Sequence, residues 1–129
     1  MSFLPHQSDN GLQPWEYYPA AGGSYTVGQM LTMNGGQLAP QTTASTVTPP
    51  YLCMASVTVT DGQLVPVIRV TRDVIFETQL SAAAEEAAIG TKLQVSAGGL
   101  QADAAAAGTF EVVFIDGTAA GNTVRGRFH

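Results

Sequence analysis

The feature that most constrains the fold is a series of glycine-containing turns that divides the chain into short segments. Glycine accepts the positive φ of tight hairpin turns, and an Asn-Gly or Asp-Gly pair between alternating segments is a strong hairpin signal. Such turns occur at Asn34-Gly35-Gly36, Asp61-Gly62, Ala97-Gly98-Gly99 and Asp116-Gly117. The sequence therefore predicts a chain of short strands joined by tight turns.

Apolar and polar residues alternate between these turns, as they do in half-buried strands. Strands are predicted from Val27, over residues 51–60 and 64–80, from Lys92 to Val95 and from Thr123 to Phe128. In residues 64–80 the even-numbered apolar positions share one face, and Thr71-Arg72-Asp73 is interpreted as a bend or bulge. The near-continuous apolar run from Phe110 to Ile115 predicts a central strand that is buried on both faces.

Residues 81–89 are the one helix candidate. Ser81 can cap a helix, Glu85 and Glu86 suit its first turns, and Gly90 can end it. Two segments, 27–38 and 89–100, also share the pattern aliphatic-Gly-x-x-Leu-x-aliphatic followed by a glycine turn, which indicates two similar hairpins or a chance likeness. The predicted fold is all-β and mainly antiparallel, a compact β-barrel or sandwich of hairpins with at most one or two short helices.

Residues 1–24 differ from the rest, and the sequence predicts an extended N-terminal arm followed by a β-rich domain over residues 25–129. Prolines at positions 5, 14 and 19 exclude a long helix. Trp15, Tyr17 and Tyr18 form an aromatic patch, and such residues are enriched at interface hot spots. These three side chains are candidate partner-binding residues, with sugar stacking or packing on the chain's own domain as alternatives.

The charge of the chain excludes several classes of partner. Charged residues make up 12% of the chain, the net charge is −5, and Lys and Arg together number five. Nucleic acids and anionic membranes are bound by clusters of cations, which this chain lacks. No stretch approaches the ~20 apolar residues of a membrane span, and the start has no signal-peptide pattern. We therefore expect synthesis in the cytoplasm, with no nucleic acid or membrane as partner.

The sequence contains no pattern that predicts catalysis, a metal site or a cofactor site. Cys53, the single cysteine, lies in an apolar stretch and is interpreted as a small core residue, since His6 and His129 near the chain ends supply no obvious base. His-Glu-x-x-His, Cys-x-x-Cys and phosphate-loop patterns are absent. Arg72 is a further candidate partner-binding residue, and the alternative is an ion pair with Asp73, Glu77 or Glu111. We expect a protein that is not an enzyme.

Several runs in the chain carry a resemblance to a known group of proteins. They are Trp15-Glu16-Tyr17-Tyr18-Pro19-Ala20, Val27-Gly28-Gln29-Met30-Leu31, Tyr51-Leu52-Cys53-Met54, Val65-Pro66-Val67-Ile68-Arg69-Val70, Asp116-Gly117-Thr118 and residues 121–128. Together they resemble small head proteins of phages and prophages of gut Firmicutes, some of which are capsid decoration (cement) proteins.

The resemblance implies a β-rich virion protein on the outer surface of a tailed-phage capsid. Such proteins often bind as trimers, and their N-terminal arm orders on the shell. The implied partner is the major capsid protein, and the implied location is the virion, after synthesis in the cytoplasm of the host bacterium. Two other classes stay open: a carbohydrate-binding or adhesion module that uses the aromatic residues, and an accessory domain of a larger enzyme.

Overall fold

The computed structural model describes residues 2–9, 11, 14–41 and 47–129, and its regular structure in these ranges consists of strands alone. All paired strands run antiparallel, so the all-β prediction is confirmed. The strands are β1 (Leu4–Ser8), β2 (Glu16–Pro19), β3 (Gly23–Tyr25), β4 (Met30–Asn34), β5 (Gln37–Pro40), β6 (Tyr51–Cys53), β7 (Val57–Val59), β8 (Leu64–Arg69), β9 (Val74–Gln79), β10 (Lys92–Val95), β11 (Ala102–Asp103), β12 (Phe110–Ile115) and β13 (Thr123–Phe128).

The strands form three sheets. The first has the order β1-β9-β13-β12-β10-β11, the second the order β2-β8-β6-β4-β5, and β3 pairs with β7 in a small third sheet. The two large sheets share one core, which makes the fold a sandwich. Of the two architectures left open by the sequence, the structure has the sandwich.

The main core lies between the two large sheets and contains four phenylalanines from the first sheet and its N-terminal extension. Phe128 lies at its centre, with ring centroids 4.9 Å from Phe110, 5.8 Å from Phe76 and 6.0 Å from Phe3. The five-stranded sheet contributes Met30, Leu52 and Ile68 from three neighbouring strands, β4, β6 and β8.

A second core covers the other face of the five-stranded sheet. It includes Leu31, Cys53 and Val67, each of which is the chain neighbour of a residue in the main core. Because successive residues of a strand point to opposite faces, β4, β6 and β8 are buried on both faces. The buried Tyr25 closes this core, and its single hydroxyl hydrogen is shared between the carbonyl oxygens of Ala21 (2.7 Å) and Leu38 (3.0 Å).

The double burial predicted for residues 110–115 is therefore found in other strands. β12 has the predicted bounds and a central position, but Phe114 on its outer face is 39% exposed. The reason is that the six-stranded sheet has a second layer on one face only. The ladder between β12 and β13 is also irregular between Val112 and Phe114, which fits a β-bulge.

Two further strand predictions were wrong in part. The predicted strand over residues 51–60 is divided into β6 and β7, which belong to different sheets, and the turn Asp61-Gly62 joins strands that do not pair. The bend at 71–73 is confirmed, as is the buried even-numbered face of β9. In β8, however, Leu64 is 61% exposed whereas Val65 and Val67 are buried. The alternation of residues in β8 shows that the strand has two different faces, but it does not show which face packs in the second core.

The predicted helix over residues 81–89 is not formed, and the segment consists of turns and irregular structure. Its backbone is bonded to distant parts of the chain: the amides of Ser81, Ala84 and Gly90 donate to the carbonyls of Ala102, Thr118 and Val112. A helix of two turns is marginal in water, so these tertiary hydrogen bonds prevail.

The two similar segments share the glycine before the first strand, but they form different hairpins. β4 and β5 are joined by the two-residue turn 35–36, whereas β10 and β11 are joined by residues 96–101, so Leu38 lies in a strand and Leu100 lies in a connection. Gly28 and Gly90 both have left-handed φ values, of 84° and 94°, just before the strands β4 and β10. The first hairpin turns at Gly35-Gly36, whose φ values of 57° and 83° are typical of a type I′ turn. The hairpins touch each other, because the Gln29 side-chain amide donates to the Gly98 carbonyl over 2.9 Å.

In residues 1–24 the structure describes 2–9, 11 and 14–24, and this part contributes to three strands that pair with strands further along the chain. β1 is part of the six-stranded sheet, β2 of the five-stranded sheet, and β3 pairs with β7. Phe3 is fully buried in the main core. The physical reason is that its side chain fills the space beside Phe110 and Phe128, so this segment completes the sandwich.

We predict that Phe3→Ala lowers the free energy of unfolding by about 3–5 kcal/mol, the usual cost of truncating a buried phenylalanine. Urea denaturation measures this loss. Leu4→Ala is the matched control, because Leu4 is the next residue and is 50% exposed, so its cost should stay below about 1 kcal/mol. Equal stability of the Phe3 variant and the wild type would show that the N-terminal segment is not part of the core.

Candidate docking surface

An open groove of about 470 Å³ lies beside β1, and its lining is mostly apolar. Its volume falls within the range of ~300–1,000 Å³ that is typical of ligand-binding clefts. The lining residues are Pro5, His6, Gln7, Ser8, Pro14, Trp15, Met54, Ile68 and Val74.

The groove exists because the two large sheets do not cover each other completely at this margin. Ile68 of β8 and Val74 of β9 are main-core residues and form its apolar lining together with Met54. β1 belongs to one sheet, while Pro14 and Trp15 lead into β2 of the other. The groove therefore opens onto the margin of the main core.

Trp15 and Tyr17 lie at the same margin and are largely exposed, at 52% and 57%. They are two residues apart along an extended segment, so they share one face. Tyr17 is opposite Pro66 in the ladder, and Pro19 is opposite Leu64, which is 61% exposed. We call the surface formed by Trp15, Tyr17 and Leu64 the apolar edge. It places two of the predicted partner-binding residues together.

Tyr18, the third aromatic candidate, points to the opposite face of β2 and packs against other residues of the chain. Its ring packs on Tyr51 at 5.3 Å between centroids, and its hydroxyl donates a hydrogen bond to Glu16. Arg69 binds both Glu16 carboxylate oxygens, at 2.8 and 3.2 Å, and donates to the Tyr18 hydroxyl at 3.3 Å. The Tyr18 and Arg69 hydrogen bonds lower the pKa of the Glu16 carboxyl. This cluster fastens β2 to β8.

Arg72 lies in the exposed bend between β8 and β9, two residues before the groove residue Val74. Two of the carboxylates considered as its partners bind other cations: Glu77 pairs with Arg125 at 2.9 Å, and Glu111 with His129. Asp73 accepts a hydrogen bond from Thr71. Arg72 is a member of none of the ion pairs that link described residues.

Cys53, the remaining reactive side chain considered from the sequence, belongs to the second core. Cys53 is fully buried, burial raises the pKa of its thiol, and its Sγ lies 3.1 Å from the Ala55 carbonyl. The interpretation of Cys53 as a core residue is confirmed. No group of His, Cys, Asp and Glu side chains within the described ranges is arranged to hold a metal ion. Among the same residues, no helix is long and apolar enough to cross a membrane.

Comparison with known proteins gives no match, either to a family model or to the sequence of a curated protein. The features that bear on function are therefore the groove, the apolar edge and the residues that carry the resemblance.

The role of β1 in this surface could not be found from the sequence. Its residues His6 and Gln7 show no alternation, and Pro5 weakens the strand signal. Only the pairing with β9 over Leu4–Ser8 reveals the strand. The nearby prolines and Trp15 were the signals that could have indicated an edge strand beside an exposed aromatic residue.

We predict that Glu16→Gln lowers the urea midpoint at neutral pH, because it removes the carboxylate that binds Arg69. A carboxyl with a lowered pKa in the folded state stabilises the fold above its unfolded pKa, and this contribution disappears as the pH falls through the folded pKa. The difference from wild type should therefore shrink in acid. Glu85→Gln, at an exposed carboxylate outside this cluster, is the control. A difference that stays constant with pH would contradict the assignment.

Proposed function

We propose that this chain is a structural virion protein that binds the outer surface of a tailed-phage capsid and stabilises the shell. The observation that carries the proposal is the apolar edge, where Trp15, Tyr17 and Leu64 stand exposed beside an open groove. The resemblance to phage head proteins supplies the partner, the major capsid protein, and the trimer as the oligomeric form. The low charge of the chain supports protein as the partner rather than nucleic acid.

The apolar edge has the composition expected of a binding hot spot. A large aromatic side chain buries ~150–250 Å², so covering the exposed half of Trp15 removes roughly 100 Å² from water. At about 25 cal/mol per Å² this is worth about 2.5 kcal/mol before the costs of association. Tyr17 offers a similar area, and the two side chains lie on one face.

The docking surface on this proposal is preformed rather than ordered on the shell. Trp15 is held next to β2, which pairs with β8 over its whole length from Glu16 to Pro19. The Glu16–Arg69 pair adds a two-point hydrogen bond between the same strands. A preformed surface loses less conformational entropy on binding than a free arm does, which increases affinity for the same contact area.

A carbohydrate-binding or adhesion module is the second candidate, and one observation favours it. Trp15 and Tyr17 are exposed on one face of an extended segment, about 7 Å apart at the usual rise per residue. Two neighbouring aromatic rings can act as a platform for sugar rings. The same pair would then bind glycans, with Leu64 outside the contact.

The test of the main proposal is co-sedimentation of the purified chain with heads of the phage or prophage that encodes it. We expect saturable binding to intact heads. Trp15→Ala should weaken it about 30-fold, which corresponds to the ~2 kcal/mol of a hot-spot residue. Binding of the same variants to a glycan array tests the second candidate.

Ile89→Ala is the matched control, because Ile89 is 73% exposed and lies outside the groove lining. Its binding to heads should equal that of the wild type. Absence of binding to heads, or binding that Trp15→Ala and Tyr17→Ala leave unchanged, would overturn the proposed surface. Saturable glycan binding that Trp15→Ala abolishes would favour the second candidate.

A further inference from the structure

The lining of the groove shows which part of β1 an occupant would meet. Four consecutive β1 residues, from Pro5 to Ser8, contribute to it. Successive residues of a regular strand point to opposite faces, and the irregularity between Pro5 and Gln7 alters this alternation locally, so the groove runs along β1 and contacts each of these residues. β1 is the terminal strand of its sheet, and among the described strands it pairs with β9 alone. The groove therefore follows an edge that another strand could join.

We infer that this groove receives an extended peptide segment of a partner protein, which adds a strand to the outer edge of β1. Apolar side chains of the segment enter the groove between Trp15, Met54 and Ile68, and an acidic side chain binds Arg72. Main-chain hydrogen bonds supply affinity in this mode of recognition, and pockets for alternate side chains supply specificity. The inference does not require the partner to be a capsid.

The backbone of β1 limits where the added strand can bond. Pro5 has no N–H to donate, and the register with β9 shifts between Pro5 and Gln7. Both features are typical of natural edge strands, which they protect from unspecific pairing. His6 and Gln7 are exposed, so the pairing is expected to be short. The apolar pockets must then contribute much of the affinity.

The charges at the end of the groove favour an acidic residue in the occupant. The amide of Asp9 donates to the carbonyl of Asp73 over 2.9 Å, which places the bend containing Arg72 at the end of β1. The Asp9 carboxylate is neutralised there by Arg127 at 3.1 Å, and Arg127 also donates to the Arg72 carbonyl at 3.0 Å. An incoming carboxylate thus meets a guanidinium that is outside the ion pairs of the described residues.

The other charged groups around β1 compensate each other. His6 lies 3.6 Å from Glu77, and Glu77 also binds Arg125. Arg69, on the far face of β8, is held by Glu16. At this end of the groove the cations Arg72 and Arg127 balance the carboxylates of Asp9 and Asp73, and of the two cations Arg72 is the one outside the ion pairs of the described residues. An extended apolar segment with a carboxylate near one end is complementary to that arrangement.

The experiment is a selection from a random decapeptide library against the full chain. We expect enriched peptides to alternate apolar and polar residues and to carry Asp or Glu near one end. The same selection on Arg72→Glu should enrich Lys or Arg at that position. N-methylation of the best peptide, one residue at a time, should weaken binding about tenfold at every second position, because alternate amides donate to β1.

Ile89→Ala is the control and should select the same peptides as the wild type. The inference is overturned by selection without a consensus, by a consensus that Arg72→Glu leaves unchanged, or by peptides that tolerate N-methylation throughout. Heads that bind the chain while the library gives no such consensus would leave the proposed function intact and remove this inference. A consensus without binding to heads would support this inference and overturn the proposed function.

Discussion

Burial of the five-stranded sheet on both faces is the constraint on which the rest of the structure depends. Met30 and Leu31 are neighbours in β4 and enter different cores, as do Leu52 and Cys53 in β6. A sheet of this kind needs a cover on each side. The six-stranded sheet covers one face. On the other face the sheet curls, with a bridge between Ala20 and Leu38, and Tyr25 closes the second core.

The need to bury both faces of the five-stranded sheet also explains the position of the N-terminal segment. Phe3 completes the main core, and β1 extends the covering sheet by one strand. Among the described strands this cover ends at β1, where Ile68 and Val74 line the groove. The proposed docking surface is thus the margin of the sandwich, where the two large sheets no longer cover each other. Its apolar character follows from the core that it borders, and Trp15 extends it onto the surface.

Local signals predicted those parts of the fold that local interactions determine. The bounds of β10, β12 and β13 and the turn at Gly35-Gly36 could be read from alternation and glycine placement. The partner of each strand could not be read in this way, because the hydrogen bonds that divide residues 51–60 and replace the helix at 81–89 come from distant residues. The same holds for Tyr18: the alternation of Tyr17 and Tyr18 is a local property of a strand, but which of the two packs on Tyr51 depends on the pairing of β2 with β8.

Hydrogen–deuterium exchange of the chain, free and bound to purified heads, tests most directly whether binding occurs at the margin between β1 and β2. Added pairing slows amide exchange along a strand that was an edge, so the reading is specific for the surface used. We expect slower exchange at His6 and Gln7 and around Trp15 in the bound state. Unchanged exchange at these residues, with protection confined to the outer face of the six-stranded sheet around Phe114, would show that binding occurs elsewhere.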